Sequence, residues 1–179
     1  MMSTRSIPRP QADESDPFYH DYIAEVADED LGTQLEEQLQ GMEQLFQGIT
    51  DQAALTRYAE GKWSIKEVLG HLSDTERIFG YRLLRIARDD ATPLSGFDEN
   101  AYVPAGSFDQ RPLGTLLAEL RAVRLSTVAL IEGLPKDCWI RRGQANGKAI
   151  SARALAYIIV GHTAHHLGVL RDRYGLGQQ

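Results

Sequence analysis

Cysteine is nearly absent from this chain, which has only Cys138. A single cysteine cannot form an internal disulfide, so the sequence gives no sign of a secreted, disulfide-stabilised protein. Long apolar runs are also lacking: the longest, residues 154–161, is far too short to cross a bilayer. Residues 1–16 lack the apolar segment of a secretory signal peptide. Together these absences predict a cytoplasmic protein with no membrane partner.

An excess of positive charge is absent as well. The chain has 19 Lys and Arg against 25 Asp and Glu, a net charge of −6, and a nucleic-acid-binding protein needs a basic surface. We therefore expect no nucleic-acid partner. A local run of arginines is interrupted by acidic residues, which favours a solvated helix face; it comprises Arg77, Arg82, Arg85 and Arg88.

Four segments carry apolar residues at helical spacing and predict an all-α four-helix bundle. They are residues 31–49, a segment from Trp63 to about Ile86, residues 112–132 and residues 152–174. The second segment begins with Ser64 and Glu67, the pattern of a capping box, and Ser151 can cap the fourth. Strand-like alternation is not evident, so no sheet is expected.

The remaining segments predict the domain boundaries. Residues 1–16 offer little to bury and predict a flexible tail, so the bundle domain is assigned to residues 17–176. Residues 18–26 are aromatic enough to pack on the bundle. Residues 89–111 form a long connection between the second and third helices, and their aromatic residues indicate that it packs over the bundle. Asn146 and Gly147 mark a turn before the last helix.

Three histidines form the candidate functional site. His162 and His166 lie one turn apart within the apolar stripe of the fourth helix, and His71 lies at the border of the apolar face of the second. Buried imidazoles need partners, and these can be carbonyls, water or a metal ion. If the second and fourth helices are antiparallel, the three rings lie at nearly one level. Three protein ligands with an open fourth position are typical of a catalytic metal site.

Other polar residues near this site have weaker predictions. Asp74, one turn after His71, can orient that ring. His165 lies beside the stripe, where it supports the site, packs or transfers a proton. His20 is expected at the surface. Cys138 is expected to be a packed residue rather than a nucleophile.

The sequence resembles the DinB/YfiT-like superfamily over about residues 19–174. The motifs that carry this resemblance are GKWSIKEVLGHLSDTERIFGYRLL, GFDENAYV and ARALAYIIVGHTAHHLGVLRDRY. The resemblance implies a four-helix bundle with up-down-down-up order, and commonly a homodimer. It also implies one divalent metal ion per chain, bound by His71, His162 and His166. Zinc or nickel is expected, with iron and manganese as alternatives.

The resemblance further implies an enzyme that acts on a small molecule, in which the ion activates an external low-molecular-weight thiol such as bacillithiol or mycothiol for S-transfer or isomerisation. A hydrolase that uses metal-bound water is the alternative. Because no carboxylate separates His162 from His166, its base would come from Asp74, Glu76 or residues 89–111. A non-catalytic, damage-inducible metal-binding module and a metal-free dimerisation scaffold also remain open.

Overall fold

A computed structural model describes residues 7–177 of the chain, and this part is mainly helical. The helices and strands, in chain order, are α1 (His20–Ala24), α2 (Leu31–Leu45), α3 (Ile65–Ala87), α4 (Glu99–Gly106), α5 (Leu113–Gly133), β1 (Arg142–Ala145), β2 (Lys148–Ser151) and α6 (Ala152–Asp172). Short 3₁₀ turns occur at Ala12–Glu14, Pro17–Tyr19, Ala53–Leu55, Phe108–Gln110 and Lys136–Cys138. No helix among the described residues is both long and apolar enough to cross a membrane.

The four long helices, α2, α3, α5 and α6, correspond to the four periodic segments of the sequence. The predicted capping box at the start of α3 is confirmed, because Ser64 Oγ accepts from the Glu67 amide and the Glu67 carboxylate accepts from the Ser64 amide. Ser151 caps α6, because its Oγ accepts from the Ala154 amide. The predicted end of α2 was wrong by four residues, because the helix ends at Leu45.

The centre of the core is α6, which contacts α1, α2 and α3. Every residue from 154 to 160 is at most 5% exposed. A helix that is covered on several sides needs apolar residues around most of its circumference. This explains why α6 carries the longest apolar run of the chain.

A buried ion pair connects the four long helices. The Arg124 side chain of α5 is 0% exposed and donates to the Glu76 carboxylate of α3, with Nε–Oε1 and Nη2–Oε2 distances of 2.9 and 2.8 Å. Its Nη1 donates to Gln38 Oε1 of α2 at 2.8 Å, and its Nη2 donates to Thr163 Oγ1 of α6 at 2.8 Å. One guanidinium therefore fixes the relative positions of all four helices.

A β-hairpin precedes α6, and the expectation that the chain contains no sheet was wrong. Strands β1 and β2 pair antiparallel, with Ala145 opposite Lys148. Asn146 and Gly147 at the turn have φ values of 52° and 72°, the left-handed backbone that a two-residue hairpin turn requires. Each strand has only four residues, too few for alternation to be visible.

The N-terminal strap (residues 7–26) packs along the bundle. Glu14 is 2% exposed and accepts hydrogen bonds from Arg153 Nε at 2.7 Å and Ser151 Oγ at 2.6 Å. Ile7 is also buried. The predicted tail comprises residues 1–16, of which residues 1–6 lie outside the described part and the others include these buried groups. The domain boundary at residue 17 stays a prediction.

The connection between α3 and α5 contains regular structure. It includes α4 and the 3₁₀ turn Phe108–Gln110, both of which contact α3. Val103 and Phe108 are buried there. The segment is thus partly helical and is packed against the same helix that carries His71.

Removing the charge of Arg124 is expected to destabilise the bundle strongly. Arg124→Leu leaves the Glu76 carboxylate buried without a cation and should lower the free energy of unfolding by about 3–5 kcal/mol. Urea unfolding followed by circular dichroism measures this. The matched control is Arg121→Leu on the same helix, which breaks an exposed ion pair with Glu43 and should cost less than about 1 kcal/mol. Equal effects of the two substitutions would contradict the role given to Arg124.

Candidate metal centre

His71, His162 and His166 form one cluster between α3 and α6. The Nε2 atoms of His71 and His162 lie 3.0 Å apart. One ring nitrogen from each of the three lies within 4.8 Å of the others, close enough for a single metal ion to be held by all three. The structure thus brings together the three histidines that the sequence pattern singled out.

The pairing of α3 with α6 explains how residues far apart in sequence meet. Near the start of α3, the Trp63 carbonyl accepts from the Tyr174 hydroxyl at 2.6 Å. Further along, His71 contacts His166, and the Phe79 ring lies 6.3 Å from that of His162. Residue numbers rise on α3 as they fall on α6. His71, the seventh residue of α3, therefore lies at the same level as the second half of α6.

Burial keeps the three imidazoles neutral. It lowers the pKa of His71 from 6.5 to about 4 and that of His166 to about 3. The pKa of His162 is lowered well below its ordinary value, first by burial and then by the neighbouring histidines. Neutral imidazole is the form that binds metal ions, so the site needs no deprotonation at neutral pH.

The partners of the ring nitrogens show how the cluster is supported. Thr75 Oγ1 lies 3.4 Å from His71 Nδ1. The Asp74 carboxylate, proposed from the sequence to orient His71, instead faces Arg77, with an O–N distance of 3.6 Å. His166 Nδ1 is buried and has no hydrogen-bond partner among the described residues. An orphaned buried nitrogen costs about 1–3 kcal/mol, and this donor set fits a divalent ion that would offset such a cost.

The histidine cluster forms part of the wall of a cavity of about 400 Å³. Trp63 covers His71, with ring centroids 4.8 Å apart. Several other segments complete the wall: the strap contributes Asp16, Phe18, Tyr19 and Tyr22, the connection contributes Phe97 and Glu99, and the hairpin contributes Asn146 and Lys148. The site is therefore open on one side to a space that a small molecule can occupy.

His165 also lies in the cavity wall, outside the three-histidine cluster. Its side chain is 42% exposed, and its Nδ1 lies 3.6 Å from Glu25 Oε1 of the strap. Its ring meets that of Tyr22 edge-on at 5.4 Å. The position of Glu25 could not be predicted from the sequence, because only the packing of the strap on α6 brings it there.

Two further candidates are placed away from the cavity. Glu76, one of the bases considered for a hydrolase, is 3% exposed and held in the ion pair with Arg124. Cys138 is 0% exposed, outside the cavity wall, and burial raises the pKa of its thiol. The predicted surface residue His20 lies within 3.2 Å of the Ala12 carbonyl oxygen and outside the cluster.

Arg82 lies in a different environment from the one predicted. It was assigned to a solvated helix face, but it is 2% exposed and lines the cavity. The connection after α3 covers it: Arg82 Nη2 donates to the Ser95 carbonyl at 2.7 Å, and Phe97 lies beside the guanidinium. The signal in the sequence was its spacing of eleven residues from His71, which places both on one face of a helix.

Comparisons with known proteins identify the family and the fold of the chain. The family model described as the DinB superfamily matches residues 34–170. Among solved structures, a similar one is YfiT from Bacillus subtilis, described as a probable metal-dependent hydrolase with an unusual four-helix bundle topology. The two chains share 21% identity and superpose with a TM-score of 0.73 over 94% of each, so they have the same fold. No curated protein sequence matches the chain.

The lowered pKa values predict a pH-dependent stability of the metal-free protein. Below pH 6.5 the unfolded chain protonates these histidines, while the folded chain keeps His71 neutral down to about pH 4. The unfolded state then binds more protons, so the free energy of unfolding should fall as the pH decreases from 6.5 towards 4. Urea unfolding in the presence of chelator measures this slope.

The control for this slope is a variant in which His71, His162 and His166 are all replaced by Gln. Its profile should be flatter over the same pH range, whereas His20→Gln should keep the original slope. An unchanged slope in the triple variant would show that the cluster is not buried in neutral form.

Proposed function

Because the chain belongs to the DinB superfamily, we propose that it is a metal-dependent enzyme in which His71, His162 and His166 hold one divalent ion. The observation that carries this proposal is the meeting of three buried, neutral imidazoles at the wall of a cavity. A structural zinc site is closed by four protein ligands, whereas a catalytic site keeps a position open. Zinc or nickel suits this nitrogen donor set, with iron and manganese as alternatives.

A divalent ion in this position supplies a Lewis acid, which lowers the pKa of a water or thiol bound to it. The residues of the chain would provide the rest of the chemistry. Trp63 and Thr75 restrict the orientation of His71. The aromatic wall limits access of bulk water, and the side chain of His165 reaches the cavity from α6.

Hydrolysis is the reaction class that this arrangement favours. The sequence offered no carboxylate base between His162 and His166, but the fold supports His165 with Glu25. An imidazole positioned beside a carboxylate can act as a general base. We propose that His165 takes the proton from the attacking nucleophile. The description of YfiT as a probable metal-dependent hydrolase supports this choice.

Thiol transfer is the second candidate, and the composition of the cavity wall favours it. Phe18, Phe79 and Phe97 give the cavity an apolar side that can accommodate an electrophile next to a thiol. Because Cys138 lies outside the wall, the thiol would be an external small molecule such as bacillithiol or mycothiol. In the non-catalytic alternative, the ion would only connect α3 with α6.

The proposal includes the up-down-down-up order of the long helices within a domain of residues 17–176. Contacting pairs along three helix–helix contacts support that order. Residue numbers run in opposite directions between α2 and α5 and between α3 and α6, and in the same direction between α3 and α5. The pairs are Leu35–Arg124 and Glu43–Arg121 (α2 and α5), Glu76–Arg124 and Gly80–Thr127 (α3 and α5), and Trp63–Tyr174 and Phe79–His162 (α3 and α6). The homodimer and the cytoplasmic location stay predictions.

The proposed roles predict different effects of two neighbouring histidines. His166→Ala should lose zinc uptake and, with it, hydrolysis of p-nitrophenyl acetate. His165→Gln should keep one equivalent of zinc per chain but lower the rate of hydrolysis by about 10²–10⁴-fold, the usual contribution of a general base. Zinc is measured by inductively coupled plasma mass spectrometry, and hydrolysis by the absorbance of p-nitrophenolate. His20→Gln serves as the control and should change neither.

The other functions give different results in the same set of variants. If cobalt-loaded protein shows a thiolate-to-cobalt absorption band that saturates with 2-mercaptoethanol, but does not hydrolyse the ester, thiol transfer would be favoured over hydrolysis as the reaction. Unfolding on chelation, with neither signal, would indicate a structural ion. Unchanged zinc uptake in His166→Ala would contradict the ligand assignment.

A further inference from the structure

Arg82 carries a buried positive charge without a carboxylate partner. The residue is 2% exposed, and no carboxylate in the described part of the chain forms an ion pair with it. Its described polar contacts are a hydrogen bond to the Ser95 carbonyl at 2.7 Å and an electrostatic interaction with the Tyr19 hydroxyl. Burying a cation is costly unless it is paired. Packing alone therefore does not explain why the Arg82 guanidinium is buried here.

Neighbouring arginines on the same helix behave differently. Arg77 pairs with Glu119, with an N–O distance of 2.6 Å, and Arg85 pairs with Asp90. Both pairs are more exposed than Arg82. The chain therefore supplies carboxylates to the arginines that are less buried and leaves the most buried of the three without one.

The guanidinium is held in a fixed position at the cavity. Its Cζ lies 5.5 Å from the centre of the Phe79 ring and 5.7 Å from that of Phe97. Aromatic rings at this distance orient a guanidinium without using its N–H donors. Because Arg82 lines the cavity, its donors that do not bind Ser95 can reach a molecule there.

Arg82 and His71 lie on the same face of α3, eleven residues and about 16 Å apart along the helix axis. Phe79 lies between them and contacts both Arg82 and His162. A molecule that reaches both ends must therefore be elongated. It would have its reacting group at the histidines, an apolar middle beside Phe79, and a further group at Arg82.

Tyr19 adds a hydrogen-bond donor to the same place. Its hydroxyl interacts with Arg82, and burial raises its pKa above the ordinary value, so it stays protonated and can donate. Lys148 also lines the cavity, although its ammonium is 3.4 Å from a carboxylate oxygen of Asp16. A planar guanidinium beside a hydroxyl donor is suited to an anionic group with two or more oxygens.

We propose that Arg82 and Tyr19 form an oxyanion-binding subsite, and that the substrate of the cavity is an elongated molecule with a terminal carboxylate or phosphate. The inference rests on the proposed function in that it assigns the ligand to the same cavity. The binding of the anionic group itself depends on Arg82 rather than on the metal ion, so the two proposals can fail separately.

The test measures affinity for phenyl-terminated acids of increasing chain length against their uncharged amides. Metal-free protein is used at constant ionic strength, so that no ion can bind the acid, and NMR titration gives the dissociation constants. Wild-type protein should bind at least one acid about tenfold or more tightly than its amide, as expected for a charged hydrogen bond. The corresponding phenylalkyl phosphates, measured in parallel, decide which oxyanion is preferred.

Variants assign the preference to Arg82. Arg82→Gln should bind acid and amide within about twofold of each other, and the matched control Arg77→Gln should keep the wild-type preference. If Arg82→Gln fails to fold, Arg82→Lys, which keeps the charge but loses the planar fork, should reduce the preference by about threefold or more.

Two results would overturn the inference: no acid or phosphate that binds more tightly than its uncharged analogue, or a preference that survives in the Arg82 variants. His166→Ala separates this test from that of the proposed function, because it should lose zinc but keep the preference for the acid. A wild-type protein that binds no zinc but prefers the acid would refute the metal site and leave the subsite standing.

Discussion

The hydrogen bonds of the Arg124 guanidinium are the constraint on which the site depends. Arg124 is bound to side chains of α2, α3 and α6 at once. Two of these partners adjoin the site directly: Thr163 follows His162 in α6, and Glu76 follows Thr75, which contacts His71. Burying an ion pair is costly, and only a complete set of hydrogen bonds offsets that cost. The Arg124–Glu76 ion pair therefore fixes the distance between α3 and α6 that the histidine cluster requires.

The cavity is completed by segments outside the bundle. The strap is attached through Glu14 and Arg153, and α1 lies directly on α6 at Gly161, where a Cβ atom would come within 1.9 Å of the Tyr22 carbonyl oxygen. Glycine at this position lets Tyr22 reach His162, whose ring centroid is 5.4 Å away. The rigid helices hold the histidines, while loops and the strap shape the space around them. Such a division is typical of sites that keep one chemistry and vary their ligand.

Local signals in the sequence were sufficient for the helices and for the His162–His166 pair, whereas adding His71 depended on the antiparallel pairing of the second and fourth helices. Helical spacing, the Ser64–Glu67 capping box and the one-turn separation of His162 and His166 are all set within a few residues. The hairpin was missed because strands of four residues show no alternation, although Asn146–Gly147 marked its turn.

Arg82 and Glu25 were missed for a different reason. The environment of Arg82 is set by Ser95 and Phe97, and that of Glu25 by His165. Both environments result from packing between separate segments. A charged residue on a helix has the same local pattern whether water or a connection covers it, so the sequence favoured the commoner solvated position.

The most direct test of the metal centre is zinc K-edge X-ray absorption of the protein loaded with one equivalent of zinc. The spectrum should show three imidazole nitrogens at about 2.0–2.1 Å, together with a further light-atom ligand in the open position. The imidazole scattering should be lost in His166→Ala. A first shell with fewer than three imidazoles, or with a sulfur ligand at about 2.3 Å from Cys138, would contradict the assignment of His71, His162 and His166 as the ligands.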